Sequence, residues 1–414
     1  MKRSRYNYFL KVNEEYYVFN TFSGSICLLS DEEYCVYSDV NQELERLDIE
    51  CLEDAKRMGI LLEDDIDELN IVTFDHKYYS ISAAPYFRIL PTTACNAKCY
   101  YCYEKGTKAK TMSFSTMQDT VRFITSRVQP HLDFKMEWFG GEPLLNTEAI
   151  DFISHSLFEK GYQPARITMV TNGLLINSEI AQKMKEDWKI SAVQITLDGP
   201  EDIYNKVKFV NSIKNPFQTV LKNIILLADN EIDVIIRMNV DKNEDQLKEL
   251  LLILKEKFKN KRNISYYFYP MFEASHSVSN YKIQQIIRLN HELIEMGLMK
   301  AENLYGFEYH CCSCYATCFH GYTIAPDGKL YNCTHNMNEN GSVGDICSYN
   351  PYHHNRLRFL NVSLSDECIN CLFLPLCQGG CRMGELKGSN MHQCYLYKNG
   401  IDEAIKERII EGGD

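Results

Sequence analysis

Residues 91–103 decide the fold of this chain and read Pro91-Thr92-Thr93-Ala94-Cys95-Asn96-Ala97-Lys98-Cys99-Tyr100-Tyr101-Cys102-Tyr103. The three cysteines have the spacing Cys-x3-Cys-x2-Cys and follow the apolar run 86–90. Three thiolates on one short loop can hold three irons of a four-iron cubane and leave the fourth iron without a protein ligand. An iron that is open in this way can bind a substrate or cofactor directly. For this spacing alone, a structural zinc site or three unrelated buried cysteines is the alternative.

The composition of the chain limits its class. Its 414 residues are enough for two or three domains with a sizeable core. A net charge of -12 argues against general nucleic-acid binding, which needs a basic face. No stretch approaches the roughly 18 apolar residues of a membrane span, and the basic start lacks the long apolar region of a secretory signal. We therefore expect a cytoplasmic protein that contacts neither nucleic acid nor membrane.

The 17 cysteines are unevenly distributed, which favours metal ligation in a reducing cell over a disulfide scaffold. Cys27, Cys35 and Cys51 lie among apolar residues and are interpreted as packing residues. Residues 103–310 contain no cysteine, and eleven cysteines follow residue 310. Most of the late cysteines fall into a spaced array, which reads Cys318-x9-Gly328-x4-Cys333, then Cys368-x2-Cys371-x5-Cys377-x3-Cys381, and finally Cys394. Paired Cys-x2-Cys motifs also occur in zinc ribbons, but so many soft ligands after the opening triad favour iron–sulfur clusters.

Residues 1–70 predict a small module of strands and helices. Ser30 followed by Glu33 is a capping-box pattern, which predicts that a helix begins at Asp31. The acidic stretch 63–68 is interpreted as a solvated linker. The expected elements of the module are strands at 6–11, 16–19, 25–29 and 59–62, and helices at 31–40 and 49–58.

Residues 85–300 alternate between strands and helices, which predicts right-handed crossovers and a parallel sheet. In such sheets ligands bind beyond the carboxyl ends of the strands. The expected strands are 86–90, 134–139, 166–170, 192–197, 234–240 and 264–269, with helices that include 147–159, 178–187, 217–229 and 244–258. Several polar motifs follow these strands, namely Gly140-Gly141-Glu142-Pro143, Asn172-Gly173 and Asp198-Gly199, and the fifth strand itself carries Arg237 and Asn239.

The opening motif resembles that of radical S-adenosylmethionine (SAM) enzymes, in which an aromatic residue precedes the third cysteine, as Tyr101 does here. The resemblance covers residues from about 85 to 395. It implies a partial (β/α)6 barrel over 85–300 within an α/β fold, and a [4Fe-4S] cluster on Cys95, Cys99 and Cys102. In that family the open iron binds SAM, and a 5'-deoxyadenosyl radical abstracts hydrogen from the substrate.

The same resemblance implies which residues contact SAM. Gly140, Gly141 and Glu142 match the motif that binds the amino group of SAM, since two glycines permit a close approach and the glutamate accepts from an ammonium. Lys208 stands where the family commonly has an arginine, so its charge is kept but a bidentate fork is not. A buried structural role is the alternative for Arg237. The remaining candidates are Tyr101 on the cysteine loop and Asn172, Thr196, Asp198 and Arg237 at the barrel rim.

The late cysteines resemble the SPASM extension of these enzymes, which would span residues 308–400 and hold two auxiliary [4Fe-4S] clusters. The implied ligands of the first cluster are Cys318, Cys333, Cys381 and an upstream cysteine, Cys312 by spacing, with Cys311 and Cys314 as competitors. Those of the second cluster are Cys368, Cys371, Cys377 and Cys394. Cys347 has no place in the pattern. The first 70 residues resemble the winged-helix-like elements of ribosomal peptide maturases, which pair with a leader peptide along a strand edge; a structural extension that covers the barrel is the alternative.

These resemblances lead to a first functional hypothesis: the protein installs a crosslink in a ribosomally made precursor peptide. A thioether is the first candidate for this crosslink. An electron donor such as flavodoxin or ferredoxin is implied as a second partner. Sulfatase-maturing members of the family carry aspartate after the cysteine that corresponds to Cys333, whereas this chain has Thr334. A protein oxidase of the sulfatase-maturase type is therefore the second hypothesis, and a non-catalytic metal-binding peptide carrier is the third.

Overall fold

The computed structural model describes residues 1–102, 108–210, 212–241, 243–271, 278–300, 314–338, 340–361, 364–386, 405–406 and 408–410. The N-terminal part contains five strands and three helices. They are β1 (Lys2–Arg3), β2 (Asn7–Val12), β3 (Glu15–Asn20), β4 (Ile26–Leu29), α1 (Asp31–Ser38), α2 (Ile49–Arg57), β5 (Leu61–Leu62) and α3 (Glu68–Ser82).

These N-terminal elements follow the local signals of the sequence. Strands β2, β3 and β4 form an antiparallel sheet in that order, and β1 pairs with β5. The capping box before α1 is confirmed, because Ser30 accepts a hydrogen bond from the Glu33 amide at 3.2 Å and the Glu33 carboxylate accepts one from the Ser30 amide at 2.8 Å. The predicted boundary of the module at residue 70 stays a prediction.

The prediction of a solvated acidic linker over 63–68 is wrong for its last two residues, Asp67 and Glu68. Asp67 instead caps α3 by accepting a hydrogen bond from the Asn70 amide at 3.1 Å, and α3 is a helix that the sequence reading did not predict. Glu68 is buried and accepts hydrogen bonds from the Ser4 hydroxyl at 2.5 Å and the Arg5 amide at 2.8 Å. A buried carboxylate requires such donors, so Glu68 fastens the first residues of the chain to α3.

The central part alternates between strands and helices, as predicted, with two successive helices between its fourth and fifth strands. Its elements are β6 (Tyr86–Ile89), α4 (Phe114–Thr125), β7 (Lys135–Trp138), α5 (Thr147–Glu159), β8 (Arg166–Thr171), α6 (Ser178–Glu186), β9 (Ala192–Thr196), α7 (Glu201–Val207), α8 (Pro216–Asp229), β10 (Asp233–Val240), α9 (Glu244–Phe258), β11 (Ile264–Pro270) and α10 (Asn280–Glu295). Strands β6 to β11 are parallel and lie in chain order, which confirms the predicted parallel sheet of a partial barrel.

The C-terminal part extends the same sheet. Its described elements are β12 (Gly321–Ile324), β13 (Lys329–Tyr331), β14 (Gly344–Asp345), α11 (His354–Leu360), α12 (Asp366–Ile369), α13 (Leu374–Cys377) and α14 (Arg382–Leu386). Strand β12 pairs in parallel with β6, and β13 and β14 continue the sheet, so that nine strands of the described residues form one sheet. The cysteine-rich segment is thus joined to the barrel by backbone hydrogen bonds, which the sequence reading did not predict.

The main core lies between this sheet and the helices around it. Phe87 on β6 is fully buried and stacks on Tyr322 of β12, with ring centroids 5.4 Å apart. Phe123 on α4 meets both rings edge-on. Aromatic packing therefore holds the C-terminal strand against the first strand of the barrel.

The N-terminal part packs on residues 369–373. The Thr21 hydroxyl donates to the Leu372 carbonyl at 2.5 Å, and the Arg5 guanidinium donates to the Ile369 carbonyl at 2.9 Å. The Tyr8 and Phe373 rings meet edge-on at 5.5 Å. The first residues of the chain therefore contact the segment that carries one of the late cysteines, Cys371, and directly follows another, Cys368. No helix among the described residues is long and apolar enough to cross a bilayer.

Replacing Phe87 by alanine should lower the free energy of unfolding by about 3–5 kcal/mol, because it removes a fully buried ring from the junction of β6 and β12. Phe74→Ala, at a ring that is 66% exposed, should cost less than about 1 kcal/mol. Denaturant unfolding of the anaerobically purified protein measures both. Equal losses of unfolding free energy in the two variants would contradict the conclusion that the Phe87 ring holds β6 and β12 together.

Candidate active site

The three opening cysteines lie on the loop that leaves β6 at the carboxyl end of the sheet. The loop is held at its base, where the Thr92 hydroxyl donates to the Lys110 carbonyl at 2.9 Å and the Met112 amide donates to the Pro91 carbonyl at 2.9 Å. All three thiols are free of disulfides. The structure therefore places the three cysteines on one loop at the edge where parallel sheets bind their ligands.

The Cys95 thiol is close to other groups of the site, although the residue keeps part of its surface in solvent. The pKa of Cys95 is raised to about 11, mainly by burial of the thiol; the Ala97 amide opposes this shift, and the nearby Glu142 carboxylate and the other two cysteines add to it. The thiol stays protonated at neutral pH unless a metal replaces the proton.

Gly140 and Gly141 are pressed against the cysteine loop. A side chain at Gly140 would collide with the Thr92 carbonyl oxygen, and one at Gly141 would lie 2.6 Å from the Thr93 carbonyl oxygen. The Gly141 amide donates to the Thr92 carbonyl at 3.2 Å. The sequence reading explained these glycines by the approach of a ligand, whereas here the backbone of the loop occupies the space.

Glu142 is completely buried between the ends of β7 and β8. Its carboxylate accepts hydrogen bonds from the Leu144 amide at 3.1 Å, the Thr171 hydroxyl at 2.7 Å and the Asn172 amide at 2.8 Å. Burial raises the pKa of Glu142, and these donors oppose the shift. The predicted contact of Glu142 with the amino group of SAM stays a prediction, because in the structure its acceptor sites are turned to protein donors.

Asn172 connects the end of β8 to the cysteine loop. Its side-chain amide donates to the Asn96 side-chain oxygen at 2.7 Å and lies 3.9 Å from the Cys95 sulfur, while its oxygen accepts from the Leu174 amide at 3.0 Å. The structure therefore brings this predicted rim residue into the site.

Tyr101, Asp198 and Lys208 form a second set of contacts on the loop. The Tyr101 hydroxyl lies 2.8 and 2.7 Å from the two Asp198 carboxylate oxygens, and the Lys208 ammonium donates to the Tyr101 hydroxyl at 2.8 Å. Asn239 donates to Asp198 at 2.9 Å. Burial alone would lower the pKa of Lys208, but the Asp198 carboxylate together with Tyr101, Cys99 and Tyr204 more than offsets it, so the pKa lies above its ordinary value and the ammonium stays charged.

Thr196 and Arg237 lie on neighbouring strands in register with each other. Arg237 is half-buried, donates to the Asn239 side chain at 3.0 Å and lies 3.9 Å above the centre of the Tyr269 ring. Its burial is thus matched by a hydrogen bond and a cation–π contact. Contacts of Thr196 and Arg237 with SAM stay predictions.

Arg88 and Glu137 are functional candidates that the sequence reading missed. They face each other in register on β6 and β7 and form an ion pair inside the barrel. The Tyr86 hydroxyl also donates to Glu137 at 2.9 Å, and Arg88 donates to the Tyr315 hydroxyl at 3.0 Å. The signal available in the sequence was a charge inside two apolar strands, since buried charges require a partner.

Arg88 reaches the C-terminal cysteines. It approaches the Thr334 hydroxyl at 3.5 Å, next to Cys333. Burial, followed by the neighbouring Cys314 thiol, raises the pKa of Cys333 to about 12, although Arg88 opposes the shift, and Cys381 is close enough to contribute. The structure therefore groups Cys314 with Cys333 and Cys381 among the described residues.

The other late cysteines are placed as follows. Cys368, Cys371 and Cys377 lie on one short stretch, in which the Cys371 amide donates to the Cys368 carbonyl at 3.1 Å. Cys318 is buried, and its sulfur lies 3.4 Å from the Cys314 carbonyl oxygen. The predicted ligands Cys312 and Cys394 lie outside the described residues.

The donor set fits a cluster better than a single ion. Across the part of the chain that the structure describes, no three His, Cys, Asp or Glu side chains converge at the spacing of one metal ion. A four-iron cubane holds its thiolates farther apart than a single ion does, because each thiolate binds a different iron. Three cysteines on one loop, none of them in a disulfide, therefore suit a cubane with one open iron.

Residues 89–254 match the radical SAM superfamily, and this range includes the cysteine loop and the ends of five of the parallel strands. The chain carries a radical SAM domain. Enzymes with this domain use SAM together with a four-iron cluster, and the loop, the Gly140–Glu142 turn and Asn172 are the parts of this chain that surround the corresponding place. This domain has the parallel partial-barrel fold described above.

Relatives of known sequence support this assignment. The chain is 24% identical over 330 residues to a cysteine-type anaerobic sulfatase-maturating enzyme of Clostridium novyi, covering 70% of this chain and 85% of that protein. It is 30% identical over 139 residues to a probable GTP 3',8-cyclase of Methanococcus maripaludis, but this match covers only 33% of this chain and 45% of the other.

Two solved structures share the fold. One is described as anSMEcpe with bound AdoMet and matches with a TM-score of 0.62 at 18% identity over 79% of this chain and 98% of its own. The other is SuiB of Streptococcus suis bound to the precursor peptide SuiA, with a TM-score of 0.55 at 14% identity over 94% of this chain and 97% of its own. The second likeness takes in most of this chain, whereas the first leaves about a fifth of it unmatched.

Gly141→Ala should prevent the opening cysteines from holding iron, because the new methyl group would displace the Thr93 and Ala94 carbonyls of the cysteine loop. After anaerobic reconstitution, the variant should contain about four iron atoms fewer per chain than the unsubstituted protein. Gly161→Ala is the matched control, since Gly161 has an unfavourable φ of +79° but open space around it. An unchanged iron content in Gly141→Ala would refute this account of the turn.

Proposed function

We propose that the protein is a radical SAM maturase that installs a crosslink, a thioether in the first instance, in a ribosomally made precursor peptide. The observation that carries this proposal is the likeness over 94% of the chain to a structure that holds a precursor peptide. A likeness of this degree concerns the fold, so the choice of substrate rests on what the parts of this fold can bind.

The N-terminal sheet offers a place for a leader peptide. Among the described residues, β4 pairs only with β3, which leaves the backbone groups of its other edge without a strand partner. An extended peptide binds such an edge by adding a strand, with backbone hydrogen bonds for affinity and side-chain pockets for specificity. The β4 edge carries the exposed side chain of Leu28, which suits an apolar residue of the leader.

In the proposed reaction Cys95, Cys99 and Cys102 bind the cluster, and Asn172 lies beside the Cys95 sulfur. When bound there, SAM and the reduced cluster supply the radical chemistry that removes a hydrogen atom from the substrate. The Glu142 carboxylate joins the ends of β7 and β8 and so holds the rim around this place. The direct contacts of SAM are left to experiment.

The interior of the barrel fits a polar peptide segment. On the inner face, Arg88 and Glu137 form an ion pair, and Tyr267 donates to Gln194 at 2.8 Å. Arg237 lies over the Tyr269 ring, which is near Cys333 and Cys381. These polar side chains lie between the opening loop and the C-terminal cysteines, where backbone amides of a peptide would find partners.

The C-terminal cysteines are proposed to hold two auxiliary clusters. Cys314, Cys318, Cys333 and Cys381 are the described candidates for the first, and Cys368, Cys371 and Cys377 for the second. A crosslink that removes two hydrogens needs an acceptor for one further electron and one proton after the first hydrogen atom has left. A cluster held by the cysteines near Arg88 would supply the acceptor for the electron. The supply of electrons by flavodoxin or ferredoxin stays a prediction.

Incubation with SAM, a reductant and peptides encoded beside the gene should yield 5'-deoxyadenosine and a peptide that has lost two hydrogens. A chain with Cys95, Cys99 and Cys102 all changed to alanine should form neither product, because no ligand remains for the opening cluster. Cys347→Ala is the control, since this exposed cysteine belongs to neither proposed ligand set, and it should keep both products. Mass spectrometry measures them; 5'-deoxyadenosine with peptides of unchanged mass would refute crosslink formation.

A protein oxidase of the sulfatase-maturase type is the second candidate, favoured by the likeness to the curated sulfatase-maturating relative over 85% of that protein. Thr334 opposes it, because a threonine hydroxyl is a far weaker base than the aspartate expected there. Such an oxidase should produce an aldehyde in a cysteine- or serine-containing sulfatase peptide, which a hydrazide reagent detects. We expect no hydrazide-reactive product, and a stoichiometric one would replace the crosslink proposal by this candidate.

A further inference from the structure

Lys208 lies at the end of α7, and its side chain is 7% exposed. Its ammonium is 2.8 Å from the Tyr101 hydroxyl and 3.5 Å from the Asp198 carboxylate. The resemblance to the family predicted that this residue contacts SAM. In the structure the Lys208 ammonium contacts two protein groups, the Tyr101 hydroxyl and the Asp198 carboxylate.

Tyr101 lies between Cys99 and Cys102 in the sequence, and its side chain connects Lys208 and Asp198 to the cysteine loop. Its hydroxyl accepts from the Lys208 ammonium and donates to Asp198, which is 5% exposed. Asn239 supplies a further donor to Asp198 at 2.9 Å. Charge-assisted hydrogen bonds of this kind are stronger than neutral ones, and burial makes them costly to break.

We propose that Tyr101, Asp198 and Lys208 form a clamp that positions Cys99 and Cys102, and that Lys208 acts through Tyr101 and not as a ligand of SAM. The inference rests on the proposed function only in assuming that this loop holds a cluster. Lys208 is a positioning residue in this account. To bind the carboxylate of SAM, the Lys208 ammonium would have to break its contact with the buried Asp198 carboxylate, which already neutralises its charge.

The tyrosine hydroxyl is the group that the clamp requires. Tyr101→Phe keeps the ring, which packs edge-on against Tyr100 with centroids 5.2 Å apart, and removes only the hydroxyl. Lys208→Met removes the charge and keeps a similar side-chain length. If the two residues act as one unit, their effects on the loop do not add, so the double variant should resemble either single variant.

The experiment uses the full chain, reconstituted without oxygen, and measures alkylation of Cys99 and Cys102 by iodoacetamide in the presence of an iron chelator. Peptide mass spectrometry separates these thiols from the other cysteines. Tyr101→Phe and Lys208→Met should each raise the alkylation rate about tenfold, and the double variant should raise it no further. The affinity for SAM, measured on the fraction that retains the cluster, should change less than about threefold.

Lys206→Met is the matched control. Lys206 lies two residues away on α7, its side chain is 75% exposed, and its carboxylate partner Asp202 is 3.7 Å away and also exposed. It loses the same charge without touching the loop, so its alkylation rate should equal that of the unsubstituted chain. Circular dichroism of each variant verifies that the fold is retained.

Two results would overturn the clamp. A tenfold loss of SAM affinity in Lys208→Met with unchanged alkylation would make Lys208 a contact of SAM. An effect of Lys208→Met without any effect of Tyr101→Phe would show that Lys208 does not act through the hydroxyl.

Failure of the proposed function is distinguishable from failure of the clamp. If the unsubstituted chain holds no cluster, alkylation of Cys99 and Cys102 is the same before and after reconstitution, which refutes the function. Because the clamp consists of protein groups alone, the order of alkylation rates among the variants still decides it in the unreconstituted protein.

Discussion

The close contact between the cysteine loop and the Gly140–Gly141 turn is the constraint on which the site depends. Parallel pairing of β6 and β7 brings the two segments together at one edge of the sheet. The Thr92 and Ala94 carbonyls then accept from the Gly141 and Glu142 amides at 3.2 and 2.8 Å. Any side chain on the turn would occupy the place of those carbonyls. Protein backbone therefore shapes the loop, and the positions of the thiols follow from it.

Two pairs of buried charges in the barrel join different segments of the chain. Arg88 pairs with Glu137 across β6 and β7, and Lys208 pairs with Asp198 beside the cysteine loop. An isolated charge at either place would be costly, because the protein interior solvates it poorly. Each pair therefore forms only when the folded barrel brings its two segments together. One pair faces the C-terminal cysteines, and the other contacts the opening loop.

The C-terminal part is built into the barrel and is not a loosely attached extension. Strand β12 continues the sheet beyond β6, and Tyr315 stacks on Tyr86 with ring centroids 4.8 Å apart. The N-terminal part in turn rests on residues 369–373 through Thr21, Arg5 and Tyr8. The three parts of the chain are therefore connected through the cysteine-rich segment, which links the proposed peptide-binding edge to the barrel.

The sequence by itself determined the parallel alternating core, the capping box before α1 and the cysteine loop at the carboxyl edge of the sheet, because these depend on local periodicity and spacing. It missed α3, where apolar residues such as Phe74, Tyr78 and Ile81 remain exposed and the usual pattern is blurred. Only the tertiary structure decided which partners the buried groups meet. The glycine turn contacts backbone, Lys208 meets Tyr101, and Arg88 meets Glu137, since such contacts join residues far apart in the chain that become neighbours only when the sheet forms.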